Sequence, residues 1–195
     1  MMKDKLSAYL HAKVHLSEDE MNQILHAFHE KKLRKHQYLL QEGNVSKQIA
    51  FVTKGCLRLY RVDEKDVEHI VQFAFENWWM SDRESYVTGM PSNYHIDAIE
   101  DSEVLLCDID TFNQLGKSIQ PLGDLMQSLQ SKNFVSVQRR INAALSYTAE
   151  QKYQELLTFQ PEILQRVPLA MVASYLGITR ETLSRIRNQA HKKLT

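Results

Sequence analysis

Residues 168–188 read PLAMVASYLGITRETLSRIRN, and this stretch decides the architecture of the C-terminal part. Pro168 to Leu176 reads as a short helix, Gly177 breaks it, and Thr179 caps a second helix running from Arg180 to about Lys193. The spacing predicts a helix-turn-helix. Ala173, four residues before the glycine, is small enough for the helices to cross closely, and Gly177 can take the positive φ that a tight turn needs. Leu183, Ile186 and Ala190 recur at helical spacing and predict the face packed onto the first helix. The opposite face then carries Arg180, Glu181, Ser184, Arg185 and Asn188.

That outward face implies a chemistry. Arginine pairs bidentately with guanine O6 and N7, and glutamate accepts from cytosine N4. In a docked helix-turn-helix the first turns of the second helix enter the major groove. Thr179, Arg187, Lys192 and Lys193 are placed to meet phosphates, which position a protein without reading sequence. A carboxylate at Glu181 opposes indiscriminate binding to a polyanion, so its presence there points to base reading. A solvated, charged C-terminal helix is the plainer alternative.

Upstream of this tail the pattern changes. The 195 residues are 43 % hydrophobic and 25 % charged, enough to bury a core and to exclude wholesale disorder. The formal net charge of zero conceals an asymmetry: residues 1–131 carry 14 basic and 20 acidic side chains, residues 132–195 carry 10 and 4. An acidic first part and a basic tail fit a tail that meets a polyanion. No run reaches the length of a membrane span and no leader opens the chain. Cys56 and Cys107 make neither a disulfide framework nor a zinc motif, so a cytoplasmic setting without cofactor or metal is expected.

Ser17-Glu18-Asp19-Glu20 reads as a capping box opening a helix whose apolar face is Met21, Ile24, Leu25 and Phe28. After the basic run Lys31 to Lys35, short strand-like segments follow at 38–40, 49–52, 56–60, 67–75, 94–99 and 104–108, separated by turn signals. They predict an antiparallel β-sandwich or roll. Residues 79–90 interrupt it and read as a short helix ending at Gly89. Pro121 suits the first turn of a long helix. Its stripes (Leu122, Leu125, Met126, Leu129; then Val137, Ile141, Ala144, Leu145) pack on its own domain or on the same helix of a second copy. A further helix spans 149–159. The fold class is α+β: a β-roll (jelly-roll), a long helix, and an all-α helix-turn-helix domain.

The chain resembles the Crp/Fnr family of bacterial transcription regulators over nearly its full length. The resemblance rests on Leu40-x-Glu42-Gly43-Asn44, on Phe51-Val52-x-Lys54-Gly55-Cys56-Leu57-Arg58-Leu59-Tyr60, and on Thr179-Arg180-Glu181-Thr182-Leu183-Ser184-Arg185-Ile186. Arg166 to Thr179 is similar to the variant common in Bacteroidetes members. The resemblance implies a cyclic-nucleotide-binding-like β-roll at 1–118, a dimerisation helix at 119–146 and a DNA-binding domain at 147–195. Arg180, Glu181 and Arg185 would read bases. The implied partners are double-stranded DNA bearing a pseudo-palindromic operator, a second copy forming a homodimer, a small-molecule effector of unknown identity, and RNA polymerase.

The sequence departs from that family at the phosphate-binding cassette. Glu76 to Ser85 contains no Gly-Glu pair, and the expected arginine position reads Asn93-Tyr94-His95-Ile96-Asp97-Ala98. A buried phosphate without its charge partner is unfavourable by several kcal/mol, so cyclic-nucleotide binding in the family's usual manner is not expected. Trp78, Trp79, Ser81, Arg83 and Tyr94 are the candidates for a different effector pocket. No N-terminal cysteine cluster exists for iron–sulfur, and Cys56, His69 and His95 are too scattered for haem ligation. The family's β-hairpin wing after the recognition helix is missing before Thr195, which implies a shallow salt slope for DNA. Two other readings stay open: a protein-interaction module that keeps the fold without binding DNA, and a jelly-roll metal enzyme.

Overall fold

The computed structural model describes the backbone of residues 1–192 and the side chains of residues 1–189. The expectations for Ala190, Lys192 and Lys193 fall outside the described side chains. The chain forms two units, Met1–Arg61 with Gln72–Ser131 and Val62–Val71 with Lys132–Thr195. Among the described residues no helix is long and apolar enough to cross a membrane.

In the first unit, α1 (Met2–His11) and α2 (Glu18–Ala27) precede the strands. The capping box at α2 forms: Ser17 Oγ accepts the Glu20 N–H at 3.3 Å, and the Glu20 carboxylate accepts the Ser17 N–H at 2.8 Å. Two four-stranded sheets follow. The first has the order β1-β8-β3-β6, with β1 (His29–Leu33), β3 (Gln48–Lys54), β6 (Trp79–Met80) and β8 (Ser102–Asp108). The second runs β2-β7-β4-β5, with β2 (Tyr38–Leu40), β4 (Leu57–Val62), β5 (Glu68–Ala74) and β7 (His95–Ala98). The described pairings are antiparallel. Leu6, Leu10, Ile24, Phe28, Phe51, Leu105 and Leu122 are buried in one apolar cluster. Each such side chain contributes roughly 2 kcal/mol by leaving water.

Three sequence expectations change. Residues 79–90 are not one helix: Trp79 and Met80 pair with Phe51 and Ala50 as β6, and only α3 (Arg83–Thr88) is helical, ending at Gly89 as expected. The tryptophan ring is drawn into the aromatic core, and Asp82 supplies the N-cap that starts α3 downstream. The run around Lys31 is strand β1, whose charged side chains hide the strand signal because only Leu33 is buried. Lysines suit an exposed sheet edge, where they oppose pairing with another chain. A short helix also lies between Phe159 and Pro168, where none was expected; Pro161 occupies its first turn.

α4 (Ile109–Ser118) leads into the long α5 (Gln120–Ser146). The first stripe of α5 packs into the core through Leu122 and Leu125. The later stripe does not: Val137, Ile141 and Leu145 are exposed, from 45 % at Val137 to 83 % at Leu145, and so are Ala144 and, one turn earlier, Phe134. The second unit continues with α6 (Ala149–Phe159), opened by a Thr148–Gln151 capping box, then α7 (Pro161–Arg166), α8 (Leu169–Leu176) and α9 (Arg180–Lys192). Tyr153, Leu156, Ile163, Val172, Leu183 and Ile186 form its interior.

Candidate nucleic-acid interface

The turn between α8 and α9 is built by Gly177, which takes the left-handed conformation (φ 64°, ψ 39°). Its N–H donates to the Ser174 carbonyl at 3.0 Å, and the Ile178 N–H donates to the Ala173 carbonyl at 3.0 Å. These bonds close the end of α8 in the manner of a glycine C-cap. Two residues later Thr179 Oγ1 accepts the Thr182 N–H at 3.2 Å and caps α9. Both helices are therefore begun or ended by local chemistry, which fixes their relative rotation. Val172 and Ala173 on α8, and Leu183 and Ile186 on α9, are buried.

That packing places the remaining side chains. Arg180, Glu181, Arg185 and Asn188 are exposed, Ser184 is half-buried, and all five line one shallow concavity of about 660 Å³ with Leu169 and Gln189. Thr179 is exposed but committed to its cap, and the half-buried Arg187 does not line the concavity. Leu169, at the start of α8, adds an apolar edge that single-helix periodicity does not reveal. The surface presents two guanidinium groups, a carboxylate, amides and a hydroxyl side by side. It can donate and accept hydrogen bonds along one helix face.

The candidates for an effector pocket do not converge. Trp79 stacks in the core, its ring centroid 4.8 Å from that of Phe51 and 5.2 Å from that of Phe112. Trp78 and Arg83 are exposed, while Ser81 and Tyr94 are half-buried. None of the five lines the concavity above or a second one of about 610 Å³ bounded by Ile70, Val137, Ile141, Phe159 and Tyr175. Beside them the buried Asp82 carboxylate accepts the N–H groups of Glu84 at 3.0 Å and Ser85 at 3.3 Å and the hydroxyl of Ser92 at 2.6 Å. The first-turn donors of α3 are thus already held by an internal anion.

A polar cluster inside the second sheet is not foreseen by the sequence reading. Arg58 and Asp97 sit directly opposite on β4 and β7 and form a two-pronged ion pair: Nε to Oδ1 at 2.7 Å, Nη2 to Oδ2 at 3.0 Å. Both side chains are about 95 % buried, being 5 % and 4 % exposed. The guanidinium lies 3.9 Å from the centre of the Tyr60 ring, and burial holds the Tyr60 phenol well above its ordinary pKa. Tyr60 in turn faces His95, its cross-strand partner. The available signal is the alternation Leu57-Arg58-Leu59-Tyr60, which puts an arginine on one sheet face beside an aromatic ring. Among the described residues no group of three or more His, Cys, Asp or Glu side chains is placed to hold a metal.

Residues 30–118 match the family model of the cyclic nucleotide-binding domain. No curated protein sequence matches the chain. Its fold is similar to that of FixK2 from Bradyrhizobium japonicum (TM-score 0.70, 18 % identity, 85 % of each chain covered). It is equally similar to a CooA mutant from Carboxydothermus hydrogenoformans (TM-score 0.70, 20 % identity, 87 % of this chain and 79 % of that one). A protein from Eubacterium rectale assigned to the Crp/Fnr family of transcriptional regulators aligns at TM-score 0.65 and 17 % identity, covering 91 % and 85 %. The α+β fold, with its two antiparallel sheets, long helix and C-terminal helices, is that of Crp/Fnr-type regulators.

Proposed function

We propose that the chain is a cytoplasmic, homodimeric transcription regulator that binds a pseudo-palindromic operator in double-stranded DNA, and that it is not an enzyme. The observation that carries this reading is the row Arg180, Glu181, Arg185 and Asn188, exposed along the first turns of a capped second helix. Arg180 and Arg185 donate to guanine edges, Glu181 accepts from cytosine, Ser184 and Asn188 share that face, and Thr179 and Arg187 support the backbone contacts. The β-roll is 1–118, the dimerisation helix 119–146 and the DNA-binding domain 147–195, as in the Crp/Fnr regulators the chain resembles; RNA polymerase is the further partner that resemblance implies.

Dimerisation is supported by the stripe Phe134, Val137, Ile141 and Leu145, which recurs every three or four residues on one helical face and is exposed in a single chain. The β-roll does not take a cyclic nucleotide in the usual way. A cyclic phosphate would have to displace the Asp82 carboxylate from the α3 donors. The signal it answers to is a different small molecule or a protein contact.

Selecting duplexes from a random library with the purified chain, without added small molecule, tests the reading. The expected result is an enriched palindrome with half-sites about one helical turn apart, roughly 34 Å. A chain that dimerises normally yet enriches no sequence would overturn it.

A further inference from the structure

Two neighbouring side chains of α8 reach away from the candidate DNA face. The Ser174 hydroxyl donates to the Glu68 carbonyl at 2.6 Å and accepts the Ile70 N–H at 3.0 Å. These are groups of one edge of β5, the outermost strand in the order β2-β7-β4-β5. On this edge one hydroxyl meets both groups. The next residue, Tyr175, lies under the Arg140 guanidinium, 4.3 Å from the ring centre, and Arg140 donates to the Val71 carbonyl. The Tyr175 hydroxyl donates to Gln160 at 3.1 Å. Residues 174 and 175 therefore tie α8 to the strand end, to α5 and to the α6–α7 junction.

We propose that Ser174 is a positioning residue that pins the helix-turn-helix to β5, and that this pin sets the separation at which a dimer holds its two recognition helices. The proposal rests on the DNA-binding reading above. α8 and α9 move together, because Leu183 and Ile186 are packed and the Gly177 turn is hydrogen-bonded at both ends. Any freedom gained by α8 passes to Arg180 and Arg185. A dimer must present two such helices at a fixed spacing, and a pinned pose has already met the cost of ordering them. Loosening the pin broadens the accessible separations. Binding at the correct spacing weakens, while binding at altered spacings changes little.

The test uses the full-length chain with Ser174→Ala and Ser174→Thr, titrated against operators whose half-sites are moved together or apart by one and two base pairs. Amide hydrogen exchange at Ile70 is followed in parallel. The wild-type chain should prefer one spacing. Ser174→Ala should lose about three- to tenfold there and much less elsewhere, and its Ile70 amide should exchange faster. Ser174→Thr, which keeps the hydroxyl, should restore both. Unchanged spacing preference in Ser174→Ala, an equal loss at every spacing, or unchanged Ile70 exchange would each overturn the proposal. A wild-type chain that binds no duplex overturns the DNA-binding reading and the spacing role with it; Ile70 exchange then reports separately on the pin.

Discussion

Replacing Asp97 by asparagine tests how the interior of the β-roll is held. The change preserves shape and removes one charge from a pair whose side chains are 5 % and 4 % exposed. Arg58 then keeps its buried positive charge while losing the carboxylate that met Nε at 2.7 Å and Nη2 at 3.0 Å. Breaking a buried pair from one side costs about 3–5 kcal/mol, whereas exchanging both partners for apolar residues of similar volume is often neutral. The amide that replaces the carboxylate retains one acceptor, so the lower end applies, about 3 kcal/mol or roughly 10 °C in the melting temperature. Intrinsic fluorescence is a clean assay because both tryptophans, Trp78 and Trp79, lie in the first unit. Urea titrations of Asp97→Asn and of the double Arg58→Met/Asp97→Leu separate the broken pair from the apolar replacement. The double variant should recover most of what Asp97→Asn loses. A loss below about 1 kcal/mol in Asp97→Asn, or a double variant no more stable than the single one, refutes the reasoning.

Four further outcomes are expected. Arg180→Ala and Arg185→Ala should each cost about 1–3 kcal/mol of specific DNA affinity in a competition assay, with relaxed preference at one base position. Ile141→Lys places a charge on an exposed position of α5 and should turn the proposed dimer into a folded monomer by analytical ultracentrifugation. Gly177→Ala meets open space at φ +64° and should cost about 1–2 kcal/mol. Gly55→Ala, at φ +92°, also brings a Cβ to 2.8 Å from the Ser102 Cα and onto its hydroxyl; overpacking adds about 1–3 kcal/mol, so thermal melts should rank it below Gly177→Ala. The Asp63 carboxyl is held down at about 2 by His69 and by the N–H groups of Val67 and Lys65. A depressed carboxylate stabilises the hairpin above the unfolded value near ~4 and loses that stabilisation as pH falls through about 2. The Lys65 and Val67 amide shifts should titrate near the lower value, and a midpoint near ~4 would show the turn to be unsupported.

What the sequence shows by itself follows the range of each signal. Caps are local: Ser17–Glu20 and Thr179 are legible because donor and acceptor lie within three residues. Helical spacing likewise separates Leu183 and Ile186 from the outward Arg180, Glu181 and Arg185. Strands β2 to β5, β7 and β8 were legible from alternation and turns, but β1 was hidden by its lysines. The Trp78–Trp79 pair carried no periodicity that told core from surface, and the first-sheet register sends one ring inward. Arg58 with Asp97, and Ser174 with the β5 edge, are separated by 39 and by more than 100 residues. Only the assembled register and packing bring such partners together.

The second unit is discontinuous, since it borrows Val62–Val71 from a hairpin synthesised long before Lys132. Its closing contacts, Ser174 to Glu68 and Ile70, span 104–106 residues. Long-range closure of this kind is slow and late. On a ribosome the hairpin tip must wait, solvent-exposed, until α8 has emerged. A fragment starting at Lys132 would lack the strand end that Ser174 and Arg140 grip, so excising the tail by its apparent domain boundary would deliver a looser head than the whole chain carries. The connectivity thereby favours one order of folding: the β-roll first, α8 and α9 last.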